Sequence, residues 1–156
     1  MQAATIKTFT HWVASLKCAM LNPFFRRTTQ AATCNQSADS VDWSDDLHHA
    51  MEQAERNGEL VLVNVTDVNC ELCERMNLIS YCDQKVAEIA NDNFRCVVVD
   101  AGDKGSGMQF AKNLEIDELP SSVIINPRSN VYVIQSGYLD PKDLVSVLSI
   151  GKLLCS

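Results

Sequence analysis

The stretch Val61-Leu62-Val63-Asn64-Val65-Thr66-Asp67-Val68-Asn69-Cys70-Glu71-Leu72-Cys73 constrains this chain more than any other. It opens as a five-residue apolar run broken only by Asn64, which predicts a strand buried on both faces. It ends in two cysteines separated by two residues, after which the apolar spacing becomes helical. A Cys-x-x-Cys where a buried strand hands over to a helix is a dithiol redox signature. The unpaired N–H groups and positive dipole end of the helix stabilise a thiolate, the reactive form of cysteine. The spacing alone is weak among seven cysteines; the position carries the reading. Half of a zinc site is the competing reading. It would need a second ligand pair, and neither another Cys-x-x-Cys nor a His-x-x-x-His exists, so no metal is expected.

The length suits one domain with a single core. A net charge of -7 argues against nucleic acid as a partner, since phosphate binding needs a basic face. No apolar run reaches membrane-spanning length, so no membrane span is expected. Seven cysteines is an odd number, which favours a reducing or redox-managed compartment over a secreted disulfide framework. Charge divides the chain in two. Residues 1–38 hold Lys7, Lys17, Arg26 and Arg27 and no acid, whereas the rest holds nine bases and 20 acids. The first segment is therefore read as an N-terminal extension: a transit peptide or a disordered tail. A secretory or lipoprotein signal is the weaker option, because Lys17, Arg26 and Arg27 interrupt its apolar stretches. A transit peptide would direct the chain to a mitochondrion or plastid; a plain tail would leave it cytoplasmic.

From Asp42 onward the elements alternate. Asp42 or Ser44 can cap a helix carrying Trp43, Leu47, Ala50, Met51 and Ala54, stopping near Asn57-Gly58. The adjacent His48 and His49 read as solvated surface residues. Glu59 to Val65 is the first central strand. The helix after Cys70 carries Leu72, Met76 and Ile79 on one face and breaks at Ser80-Tyr81-Cys82-Asp83. A second helical stretch with Val86, Ile89 and Ala90 ends near Asn93, and Phe94 to Asp100 is a strand. After a loop, Gly107 to Leu114 is a short helix, and Gly105-x-Gly107 lacks the features of a phosphate loop. Leu119 to Ile125 is a strand opening at Pro120, and Val131 to Gln135 pairs back on it until Gly137. Asp140 caps the last helix, Pro141 starts it, and Leu144, Val145, Leu148 and Ile150 form its apolar face. This order implies an α/β fold: a mixed four-stranded sheet with helices on both faces.

That order, with Cys70-x-x-Cys73 after a buried strand, Pro120 opening a later strand and Gly137 after the hairpin, resembles the thioredoxin superfamily over residues 42–152. The run Cys70-x-x-Cys73-x-x-Met76, Val86-Ala87-x-x-Ala90-Asn91 and Val97-Val98-Val99-Asp100 is similar to members with a longer segment after the cysteines. The resemblance implies a thiol–disulfide oxidoreductase, with Cys70 attacking a disulfide of a protein substrate and Cys73 resolving the mixed disulfide. It implies a cis Pro120 against the cysteines, with Leu119 and Pro120 holding the substrate chain. It implies no organic cofactor, and electrons from a partner reductase or a small thiol. Three positions depart from the family pattern: Asn64 where a buried acid is usual, Asn69 where Trp is usual, and Glu74 where Lys or Arg is common. Asn64, Glu71 and Glu74 are accordingly modulating residues, the two acids disfavouring a nearby thiolate. The departures keep open a redox-inactive binding module of the same fold, and, further off, a metal carrier. Cys96 reads as a small buried hydrophobe and Cys82 as packed, while nothing in the sequence pairs Cys18, Cys34 or Cys155.

Overall fold

The structure, a computed structural model, describes residues 5–8, 40–102 and 105–156. Apart from Thr5–Thr8, the residue 1–38 extension lies outside the described residues, as do Cys18 and Cys34. In chain order the elements are β1 (Thr5–Thr8), β2 (Trp43–Ser44), α1 (Leu47–Asn57) and β3 (Leu60–Thr66). There follow α2 (Glu71–Arg75), which runs on into a π-helical turn (Met76–Ser80), then α3 (Gln84–Asn93), β4 (Phe94–Asp100) and α4 (Ser106–Asn113). A hairpin of β5 (Ser121–Asn126) and β6 (Val131–Ser136) and the final helix α5 (Pro141–Cys155) complete the order. The strands form one sheet in the order β1-β6-β5-β3-β4-β2. β3 and β4 are parallel, as are β4 and β2, while β5, β6 and β1 add antiparallel. The four expected strands are the four in the middle. The sheet is wider than four because two short edge strands join it, and a pair as brief as Trp43–Ser44 leaves no alternation to read.

β3 is central, with β4 on one edge and β5 on the other, and helices cover both of its faces. Val61, Val63 and Val65 point towards α1 and α4, with Val97, Val123 and Phe110 in the same core. Leu62 points the other way, towards Met76, Val86, Leu144 and Leu148. This two-sided burial is why β3 reads as a continuous apolar run. Asn64, a polar residue in its middle, is as deeply buried as its neighbours.

Four local expectations are corrected. Trp43 is not in the first helix: its backbone pairs with Cys96 on β4, and its ring meets Tyr81 edge-on at 4.9 Å. The spacing from Trp43 to Leu47 looked helical, yet the two residues serve opposite faces of the sheet. The cap of α1 is Asp46, whose Oδ1 accepts the His49 N–H at 2.9 Å, rather than Asp42 or Ser44. After the cysteines, Met76 is buried but Leu72 and Ile79 are exposed. The π turn, closed by the Tyr81 N–H donating to Met76 O at 3.0 Å, adds a residue and turns Ile79 outward. In α5 the buried stripe is Leu144, Leu148, Gly151 and Cys155, while Ile150 faces solvent. Gly151 lies so close to Ile124 on β5 that a Cβ there would overlap the Ile124 Cδ1. The Asp140 cap and Pro141 start are as expected. No helix among the described residues is long and apolar enough to cross a membrane.

Candidate dithiol site

The chain leaves β3 through a tight polar turn. The Asp67 Oδ1 accepts the Asn69 N–H at 2.7 Å, and the Cys70 N–H donates to Asp67 O at 3.1 Å. An aspartate bonding to the backbone two residues on is a standard way to start such a turn. It delivers Cys70 to the N-cap of α2, where its Sγ accepts the Cys73 N–H at 3.1 Å. The cap position is normally filled by an oxygen-bearing side chain; here a sulfur receives the free helix N–H. Cys70 and Cys73 are joined by a disulfide, with their Cα atoms 5.2 Å apart. Cys70 is half-buried, whereas Cys73 is 1% exposed. The two sulfurs therefore differ in access, Cys70 being the more open to solvent.

Glu71 and Glu74 are exposed in the first turn of α2. They favour the helix dipole but bring negative charge near any thiolate at Cys70. The Leu119–Pro120 peptide bond is cis. Strand register sets its place: Ser121 lies opposite Val65, so Pro120 sits at the sheet end where β3 hands the chain to Cys70. The Pro120 carbonyl accepts the Gly137 N–H at 2.8 Å, and Gly137 has φ 88°, where a side chain would be strained. Leu119 is half-buried and Pro120 buried. The two cysteines, the proline segment and the two acids thus share one end of the sheet.

Beneath α2 runs a polar layer that spacing could not foretell. Asn64 donates from Nδ2 to the Asn77 Oδ1 at 2.8 Å, while its own Oδ1 has no partner. The Tyr81 hydroxyl pairs with the Ser122 Oγ at 2.9 Å, and burial pushes the phenol pKa above its ordinary value. The Ser80 Oγ donates to Leu139 O at 2.5 Å, which ties the π turn to the loop before α5. On the outside, the Arg75 guanidinium lies 4.8 Å from the centre of the Tyr138 ring. Val68 (76% exposed) and Leu72 (46%) flank the cysteines as uncovered apolar side chains. Asn69 is exposed in the turn, so no bulky ring stands before Cys70.

The remaining thiols differ in kind. Cys96 lies in the core, where burial first, and then the charge of Asp42, pushes its pKa up to about 12. Burial also raises Cys155. A thiol so placed is chemically quiet. His48 faces Glu52 at 3.8 Å and His49 lies beside Gln53, both far from the cysteines in the chain. No cluster of three or more His, Cys, Asp or Glu able to hold a metal occurs among the described residues.

Comparison with solved structures returns the same fold. A thioredoxin from Thermus thermophilus superposes with TM-score 0.63 at 20% identity, covering 71% of this chain and 86% of that one. A putative disulphide-isomerase from Bacteroides thetaiotaomicron gives TM-score 0.63 at 24% identity, covering 74% and 95%. A structure described as DsbH oxidoreductase gives TM-score 0.65 at 15% identity, covering 78% and 91%. At such identities the likeness establishes the fold. No curated protein matches the sequence. The Thioredox_DsbH family model, described as a protein of unknown function, DUF255, matches residues 26–155. The expected fold and the Cys70–Cys73 pair are thus both present, and this chain belongs to the thioredoxin-like DsbH (DUF255) family.

Proposed function

We propose that the chain is a thiol–disulfide oxidoreductase acting on protein substrates through Cys70 and Cys73. The observation that carries this reading is the asymmetry of the pair. A half-buried sulfur caps a helix and receives a backbone N–H, and it is bonded to a second sulfur that solvent does not reach. In the reduced protein the Cys70 thiolate attacks a substrate disulfide. The substrate S–S bond breaks, a Cys70–substrate disulfide forms, and one substrate sulfur leaves as a thiol after taking a proton. Cys73, deprotonated, then attacks Cys70. The Cys70–Cys73 bond forms, the second substrate thiol leaves, and two electrons have passed to the substrate. A partner reductase or a small thiol returns them. Leu119 and Pro120 hold the substrate chain beside the sulfurs, and exposed Val68 and Leu72 offer it apolar contact. Glu71 and Glu74 hold down the thiolate fraction at Cys70. The disulfide-exchange names of several structural neighbours point the same way.

A binding module with idle cysteines is the second reading, favoured by an amide at Asn64 in place of a proton-moving acid. One experiment separates them. Cys73→Ser removes the resolving sulfur and traps mixed disulfides through Cys70, and Cys70→Ser traps none. Mass spectrometry of captured species reads the outcome. Equal trapping by both variants reverses or abolishes the roles, and no trapping by either favours the module.

A further inference from the structure

We infer that Asn64 tunes the redox equilibrium of the cysteine pair by accepting a hydrogen bond from the Cys73 thiol that exists only in the reduced protein. The inference rests on the thiol–disulfide reading above and adds a positioning residue to it. Asn64 is 1% exposed, and its Oδ1 is the one buried side-chain oxygen or nitrogen without a partner among the described residues. A buried acceptor left without a donor is costly, and such an exception calls for a cause. The rest of the layer is matched: Tyr81 with Ser122, Ser80 with Leu139 O, and the Asn64 Nδ2 with Asn77.

The location supplies the donor. Asn77 follows Cys73 by four residues, so both lie on the same face of the helix, one turn apart. The Asn64–Asn77 bond therefore brings the Asn64 amide beneath the turn that carries Cys73. Cys73 is itself 1% exposed. In the disulfide its sulfur carries no proton, and Asn64 Oδ1 stays unpaired. On reduction the S–S bond breaks, and two electrons and two protons arrive. With glutathione they come from two thiols that leave as one glutathione disulfide. Cys73 then becomes a buried S–H in need of an acceptor, and Asn64 Oδ1 is an acceptor in need of a donor. The bond stabilises only the dithiol, so Asn64 makes the pair easier to reduce. It also holds the proton on Cys73, leaving Cys70 as the first nucleophile.

The test equilibrates the full chain with set ratios of reduced and oxidised glutathione, then reads the alkylation of Cys70 and Cys73 in their own peptide by mass. Asn64→Leu removes the acceptor and is expected to make the disulfide harder to reduce by about tenfold in equilibrium constant, equivalent to about 30 mV more negative. Asn77→Ala breaks the visible hydrogen bond but keeps the acceptor, and is expected to change the equilibrium by less than about threefold while lowering stability. If Asn64→Leu does not melt cooperatively, Asn64→Val, which matches the flanking strand residues, replaces it. A wild-type pair that exchanges with glutathione while the Asn64 variants move by less than about twofold overturns the inference and leaves the proposed function standing. So does a shift towards easier reduction, which would mean the amide presents its NH2 to sulfur. A wild-type pair that never exchanges at any glutathione ratio overturns both.

Discussion

Gly151→Ala is the sharpest probe of how the last helix is seated. Gly151 lies in the interior of α5, where alanine is favoured over glycine by about 1 kcal/mol. On a bare helix the substitution would stabilise. Here the added Cβ overlaps Ile124 Cδ1 and stands 3.3 Å from Ile124 Cγ1. Ile124 is 1% exposed on β5, so its side chain has little room to turn away. Overpacking of this kind costs about 1–3 kcal/mol. The two effects leave a net loss of up to about 2 kcal/mol, and a melting point lowered by up to roughly 8 °C at this chain length. Ile124→Val removes the offending Cδ1 and by itself costs about 0.5–1.5 kcal/mol. In that background Gly151→Ala is expected to be neutral or stabilising, because the helix preference returns once the clash is gone. A double-mutant cycle on the oxidised protein, by urea unfolding followed through Trp43 fluorescence, reads a coupling of about 1–2 kcal/mol. Additivity within about 0.5 kcal/mol, or stabilisation by Gly151→Ala alone, refutes the close seating of α5 on Ile124.

The Glu59–Arg95 pair bonds at 2.6 Å, and the Arg95 hydrogen bond holds the Glu59 carboxyl below its ordinary pKa of 4.5. A depressed carboxylate adds stability above its unfolded pKa and loses it as pH falls through the folded value. Glu59→Gln should therefore lower stability by under about 1 kcal/mol at neutral pH, the pair being solvent-exposed, and the gap to wild type should shrink at acid pH. A gap that is constant with pH rules out the ion pair as its source. We also expect a chain beginning at Asp39 to fold, since the described residues of both cores run from Val41 onward. It should melt a few degrees lower, because the edge pairing of β1 to β6 is lost. Loss of cooperative melting would show that the extension is part of the domain.

What the sequence determined is the part written in local rules. A strand buried on both faces has to be apolar throughout, so β3 and β4 were legible as runs. Asp140 and Pro141 carry their helix start in their own chemistry, and α5 begins there. Cys70 and Cys73 were legible because a dithiol needs both its spacing and a helix N-terminus, and both are sequence-local. The tertiary structure decided what depends on partners distant in the chain. Trp43 is a strand residue because β4 offers it an edge and Tyr81 offers its ring a neighbour. Ile79 turns outward because a π turn, anchored through Ser80 to Leu139, rephases the helix. Gly151 is buried because β5 comes up against it, not because of any pattern within α5. The buried layer of Asn64, Asn77, Tyr81 and Ser122 is of the same kind. Periodicity reports only how apolar a position is, and a polar residue is readable as buried only once the group that hydrogen-bonds it has been brought alongside.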